Sequence, residues 1–142
     1  MRALFLFLLC SLPFSIQAAT LRAGQVWAYH TRPGEESSTL TILKIEDYQD
    51  LGKVVHIRVD GINITNPTKA NTVSELPHLP FKEAALQKSI TQLLRQVKPV
   101  PDFKRGYDYW KKAYLEHHAS AFNVGVASML DGMYKAEWVE EK

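Results

Sequence analysis

The chain has 142 residues, with 17 Lys+Arg against 15 Asp+Glu and a formal net charge of +2 at pH 7. That length suits one domain, and the near balance of charge, with no block of like sign, excludes a nucleic-acid-binding arm or a basic membrane patch. Its one cysteine, Cys10, excludes a disulfide framework.

The first segment reads as a secretory signal peptide. Met1-Arg2 is basic, Ala3–Leu12 is an apolar run, Pro13 breaks it, and small residues follow at Ala18 and Ala19. The run is too short to span a bilayer. Cleavage is expected after Ala18, so that 1–18 is the signal and 19–142 is a single domain. Leu9 precedes Cys10 where a lipid-anchored protein needs a small residue, so Cys10 is expected to leave with the signal. The remaining 124 residues (142 − 18) would carry 16 basic against 15 acidic groups, a net charge of +1, once Arg2 is removed. Secretion without disulfides points to the bacterial periplasm. A chain of that size builds its own core. No later apolar run is long enough to cross a membrane.

Three strands come next. Gly24–Arg32 alternates, with Val26, Ala28 and His30 opposite Trp27, Tyr29 and Thr31. Ser38–Glu46 places Thr41, Leu43 and Ile45 on one face and Leu40, Ile42 and Lys44 on the other. Lys53–Gly61 is the cleanest, with Val55, Ile57 and Val59 dry and Val54, His56, Arg58 and Asp60 wet. Short links predict a sequential antiparallel meander packed on one side. Between the first two strands, Pro33-Gly34 are the central residues of a type II turn, so "TRPGEESS" reads first as a hairpin loop.

Ile62–Pro80, with three prolines, reads as a long loop with a short edge strand near Asn63. Phe81–Gln96 predicts a helix on the stripe Ala85, Leu86, Ile90, Leu93 and Leu94. Asp102–His118 predicts another, with Phe103, Tyr107, Trp110 and Tyr114 on one side and packed on the sheet. Ala121–Ala127 reads as a strand, and 128–141 as a closing helix with Ser128 as a cap. The sum is an α+β fold: a three- to four-stranded antiparallel sheet packed on one face by two or three helices, in the order β-β-β-α-α-β-α. The expected core is Val55, Ile57, Val59, Leu43, Ile45, Leu86, Ile90, Leu93, Phe103, Tyr107 and Trp110.

Catalytic signatures are absent. Metal-binding spacings, HxH on a strand or HxxxH on a helix, do not occur. No GxSxG elbow or SxxK is present. The paired carboxylates, Glu35-Glu36, Asp47 with Asp50, and Glu140-Glu141, sit in loops or at the chain end. No catalytic residue, metal or cofactor is therefore assigned. As binding residues the sequence offers Arg32 for a carboxylate, Glu35 and Glu36 for a cation, His56 paired with His78 near Glu75, and Trp27. Trp27 and Tyr109 lie off the core stripes and are expected on the surface.

The blocks "GQVWAYHTRPGEESSTLTILKIE", "VVHIRVDGINI" and "LPHLPFKEAALQKSITQLL" resemble a family of small, uncharacterised secreted bacterial proteins. That resemblance implies a compact domain whose loop and histidines are more than filler, and it carries no activity. The functional expectation is a non-enzymatic binding module for a macromolecular partner or small ligand, one form being an immunity protein against a periplasmic toxin. The alternatives are a small hydrolase or metal-dependent enzyme using His56, His78 and the Arg32–Glu36 loop, and a structural component of the envelope.

Overall fold

The computed structural model describes residues 17–66 and 71–136. The expected signal segment up to residue 16, Cys10 within it, the sequence "PTKA" at 67–70 and the tail from 137 lie outside the described residues. The elements are β1 (Gln25–Tyr29), β2 (Thr39–Tyr48), β3 (Gly52–Asn66), β4 (Asn71–Lys82), α1 (Glu83–Ser89), β5 (Ile90–Gln96), α2 (Lys104–Leu115) and α3 (Val126–Ala136). The five strands form one sheet in the order β4-β3-β2-β1-β5, with every neighbouring pair antiparallel. The fold is α+β, and the meander of the first three strands is as the alternation predicts.

Four expectations are corrected. The stretch expected as a loop up to Pro80 is instead the end of β3 and the whole of β4. Prolines pointed away from a strand, but β4 lies at a sheet edge, where a residue without an N–H is tolerated. The helix expected over Phe81–Gln96 stops at Ser89, and Ile90 turns extended (φ −69°, ψ 147°). From there the chain becomes β5 and fills the open edge of β1, pairing Gln96 with Gln25 and Arg95 with Val26. Tertiary pairing overrides a helical pattern here. Ala121–Ala127 is not a strand; Phe122 makes a single parallel bridge to Phe81, with Lys82 N–H donating to Phe122 O and Phe122 N–H to Pro80 O. Finally, the sheet is covered on both faces rather than one.

The reason for the last correction lies partly in one residue. Ile42 pairs with Ile57 and Lys44 with His56, so Leu43 is an extra residue in β2, a β-bulge. A one-residue insertion inverts the facing of everything beyond it. Leu40, Ile42 and Ile45 therefore reach the same face, with Val55, Ile57 and Val59. There they meet Phe81 of β4, Leu86 of α1, and Val126, Met129 and Leu130 of α3. Lys44, Glu46 and Tyr48 turn to the opposite face, where α2 lies. A smaller cluster forms there from Val54, Trp110 and Ala121, with Tyr48, Tyr107 and Tyr114 against it.

Most of the expected core is buried: Leu43, Val55, Ile57, Val59, Leu86 and Trp110. Leu93 is not. It is 47 % exposed, because it sits on the edge strand β5 rather than on an inward helix face. Ser89, rather than Ser128, serves α3: its hydroxyl accepts from Val126 N–H at 3.1 Å. Among the described residues no helix is long and apolar enough to cross a membrane.

Candidate functional site

The polar residues gathered under α2 form the densest chemistry of the molecule. His56 comes from β3, the strand next to the edge strand β4, and is fully buried. His78 comes from β4, where the register slips between Ile57/Leu79 and Val59/Leu76. Two residues from Pro80, the partner of His56, His78 falls on the same face by alternation, and its Nε2 lies 2.9 Å from Nδ1 of His56. The rings are nearly parallel, with centroids 5.1 Å apart. On the other side of His56, its Nε2 is 3.2 Å from Glu46 Oε1. That contact has the distance of an ion pair without the alignment of a hydrogen bond, and Nε2 has no hydrogen-bonded partner among the described residues.

The network assigns the protons, since one hydrogen bond between two imidazoles holds one hydrogen. If His56 donated from Nδ1, its bare Nε2 would face the Glu46 carboxylate. The favourable arrangement has His78 Nε2–H donating to His56 Nδ1 and His56 Nε2–H directed at Glu46. His78 Nδ1 is then a bare acceptor.

Glu46 is held from α2 as well. Tyr107 donates its hydroxyl hydrogen to Oε1 at 2.6 Å, Lys111 Nζ is 3.5 Å from Oε2, and Lys44 Nζ is 4.0 Å from Oε1. Burial alone pushes this carboxyl up, but the Tyr107 hydrogen bond and the charges of Lys111 and Lys44 outweigh it and hold it below the ordinary value. Burial acts the other way on the imidazoles. His56 is lowered to about 4 by desolvation and by His78, against the pull of Glu46. His78 is lowered to about 4 by desolvation. Both are neutral at pH 7, in keeping with the proton assignment.

Gly106 lets α2 come this close. A Cβ at that position would lie 2.8 Å from His78 Cβ and 3.4 Å from its Nδ1. The pass of helix over histidine leaves a cleft on either side. One, of about 610 Å³, is walled by Pro77, His78, Phe103, Lys104, Arg105 and Tyr109. The other, of about 490 Å³, is walled by His78, Pro80, Tyr109, Trp110 and the segment Ala119–Phe122. Tyr109, 80 % exposed as its position off the stripe predicts, stands between them.

The other predicted residues lie elsewhere. Arg32 forms a double contact with Glu35, Nε to Oε2 at 2.9 Å and Nη2 to Oε1, and Glu35 Oε1 accepts from Asn63 N–H at 2.7 Å. Arg32 Nη1 is 3.5 Å from Asp131 on α3. These groups tie the β1–β2 loop to β3 and α3 and line a separate cleft of about 350 Å³. The turn itself has the expected form, with Gly34 at φ +85° and Glu35 N–H donating to Arg32 O. Glu36 accepts from Gly34 N–H. Trp27, expected on the surface, is buried in the main core and donates to Gln25 Oε1. Glu75 pairs with Arg58 rather than approaching the histidines. The structure thus brings His56 and His78 together and separates them from Arg32, Glu35, Glu36 and Trp27.

Sequence reading missed Glu46, Tyr107, Lys111 and Gly106. Three of these carry a legible signal in retrospect: Tyr107 lies on the aromatic stripe, Lys111 is four residues on, and glycine inside a helical pattern signals close approach. Among the described residues no group of three or more His, Cys, Asp or Glu is arranged to hold a metal ion. No known protein-family model, curated protein or solved structure matches the chain.

Proposed function

We propose that the protein is a secreted, periplasmic binding module that takes a segment of a partner protein in the clefts beside α2. The observation that carries this reading is the pair of adjoining clefts, about 610 and 490 Å³, that share His78, Gly106 and the exposed Tyr109. Each is within the range of ligand sites. Their walls are aromatic (Phe103, Tyr109, Trp110), a composition typical of the centre of an interface. The rim carries Lys104 and Arg105, which favour an acidic or aromatic segment. Neutral His78 offers an acceptor at its floor.

The test is capture from the periplasm with tagged wild type and Tyr109→Ser. A stoichiometric partner retained by wild type and lost by the variant supports the reading. Equal capture by both, or none, sinks it. A partner that is a secreted toxin would make the module an immunity protein.

A second reading, a small hydrolase, is favoured by one observation: the hydrogen bond between His56 and His78, which orients His78 as a base with Glu46 behind the pair. It no longer draws on the Arg32–Glu36 loop. Turnover of simple nitrophenyl esters by wild type, abolished in His78→Gln, would support it.

A further inference from the structure

α2 is attached differently from the rest of the fold. The main core, from Leu21 to Leu130, contains no residue of α2. The helix rests on a small cluster around Val54, Trp110 and Ala121 and on a set of polar ties. Tyr107 reaches Glu46, Lys111 reaches Tyr48 at 2.6 Å, Tyr114 reaches Asp50 at 2.6 Å, and Trp110 Nε1 donates to Ser120 O at 2.8 Å. Beneath these ties lies the histidine pair, with Tyr107 edge-on to His56 at 5.0 Å and to His78 at 6.0 Å.

The charges around the pair have room for few more of positive sign. From β2, Lys44 and Glu46 face His56; from β4, His78 does; from α2, Tyr107 lies edge-on to it and Lys111 reaches Glu46 and Tyr48 behind it. Asp102, Lys104 and Arg105 stand around His78 at the head of the helix. Glu46 is the one carboxylate in contact with His56 among the described residues, and two lysines already face it. With both imidazoles protonated, His56, His78, Lys44 and Lys111 would give four positive charges against one negative, a net of +3 gathered around the fully buried His56. Such a cluster relaxes by letting water in. The element with the fewest apolar ties is the one to move.

We propose that α2 is an acid-released lid: the neutral His56–His78 pair lets the helix lie on the sheet, and protonating the pair lifts it while the main core stays closed. The lifted helix uncovers Val54, Trp110 and the histidines, and it dissolves the clefts beside it, so any segment held there is set free. The lid stands whether or not the binding reading does, because opening is read on the helix itself.

The experiment is amide hydrogen exchange by mass spectrometry on the full secreted chain between pH 7.5 and 4.5, corrected for intrinsic rates. It follows a peptide covering α2 and one covering β3. Each proton taken up on opening multiplies the opening constant by about tenfold per pH unit in the range where the open form is protonated and the closed form is not. Two histidines give up to about a hundredfold per unit for α2 below pH 6.5, with β3 protected throughout. His78→Gln keeps a donor toward His56 and removes one proton, so its slope falls to about tenfold. The histidine ring signals of the unaltered protein, followed by NMR, shift at the pH where α2 opens. The proposal is overturned if α2 and β3 lose protection together, if α2 opening is independent of pH, or if the slope is the same in His78→Gln. Ring signals that titrate without α2 opening overturn it too, and that check holds even if the variant does not fold.

Discussion

Glu35 is a charged residue spent on architecture. It is buried, its two oxygens take Arg32, and one of them also accepts from the backbone of Asn63. Burial raises its pKa, but Arg32 and the Asn63 N–H outweigh that and hold it below the ordinary carboxyl value. A carboxyl lowered in the fold adds stability above its unfolded pKa and loses it as pH falls through the folded one. Removing it strands Arg32 and an N–H. Glu35→Ala is expected to cost about 3 kcal/mol in urea unfolding at pH 7, and little below pH 3. Gly106 poses the opposite question. Alanine there gains about 1 kcal/mol of helix propensity. Its Cβ would lie 2.8 Å from His78 Cβ, an atom fixed to the strand rather than a movable tip. Overpacking of that kind costs about 1–3 kcal/mol, so repulsion wins. Gly106→Ala should loosen α2, seen as faster amide exchange there. The pairing of His56 with His78 was legible as a guess. The company they keep was not, since Glu46 sits three residues past a bulge, at Leu43, that alternation cannot show.

At the scale of elements, legibility followed how local the cause was. The turn at Pro33-Gly34 and the existence and pairing of the first three strands are written in neighbouring residues and were read correctly. Their facing was not: Val54 and His56, expected wet, are fully buried, and the bulge at Leu43 breaks the alternation expected of β2. β5 is written elsewhere, in the unpaired edge of β1. Its sequence, ITQLLRQ, continues the stripe of α1, and nothing within it announces a strand. A peptide of residues 81–97 on its own is therefore expected to turn helical rather than extended in trifluoroethanol, as read by far-ultraviolet circular dichroism. β4 failed in the opposite sense, because prolines were weighed as breakers when position at an edge makes them acceptable. Ser89 joins the two halves of this region. Its hydroxyl donates to Ala85 O at 3.3 Å and receives the first N–H of α3. Ser89→Ala should cost about 1–2 kcal/mol, the range for a lost helix cap, in thermal or urea unfolding.

For the whole molecule, the two faces of the sheet are unequal. One holds the large core with Phe81, fully buried, near its centre; the other holds Trp110 and a few neighbours. Equivalent truncations should then differ in kind. Phe81→Ala is expected to lower the free energy of global unfolding by about 3–5 kcal/mol. Trp110→Ala should strip protection from α2 and leave exchange in β3 within about tenfold of wild type, in line with local opening of a weakly tied unit. A sequence reading that assigned a single packed face could not separate these outcomes, because the second face is built from His56, Tyr48 and other side chains that pass for surface.

The two margins of the sheet are finished by different means. β4 carries Pro77 and Pro80 and is met by Phe122 near its end. β5 has no proline and exposes Leu93 and Leu94, but its pairing with β1 slips twice within seven residues. A growing fibril needs a straight, regular margin onto which the next chain can lock. Neither margin supplies one. Because one depends on ring chemistry and the other on backbone irregularity, a single substitution leaves at least one blunted. A protein built this way resists seeding its own aggregation.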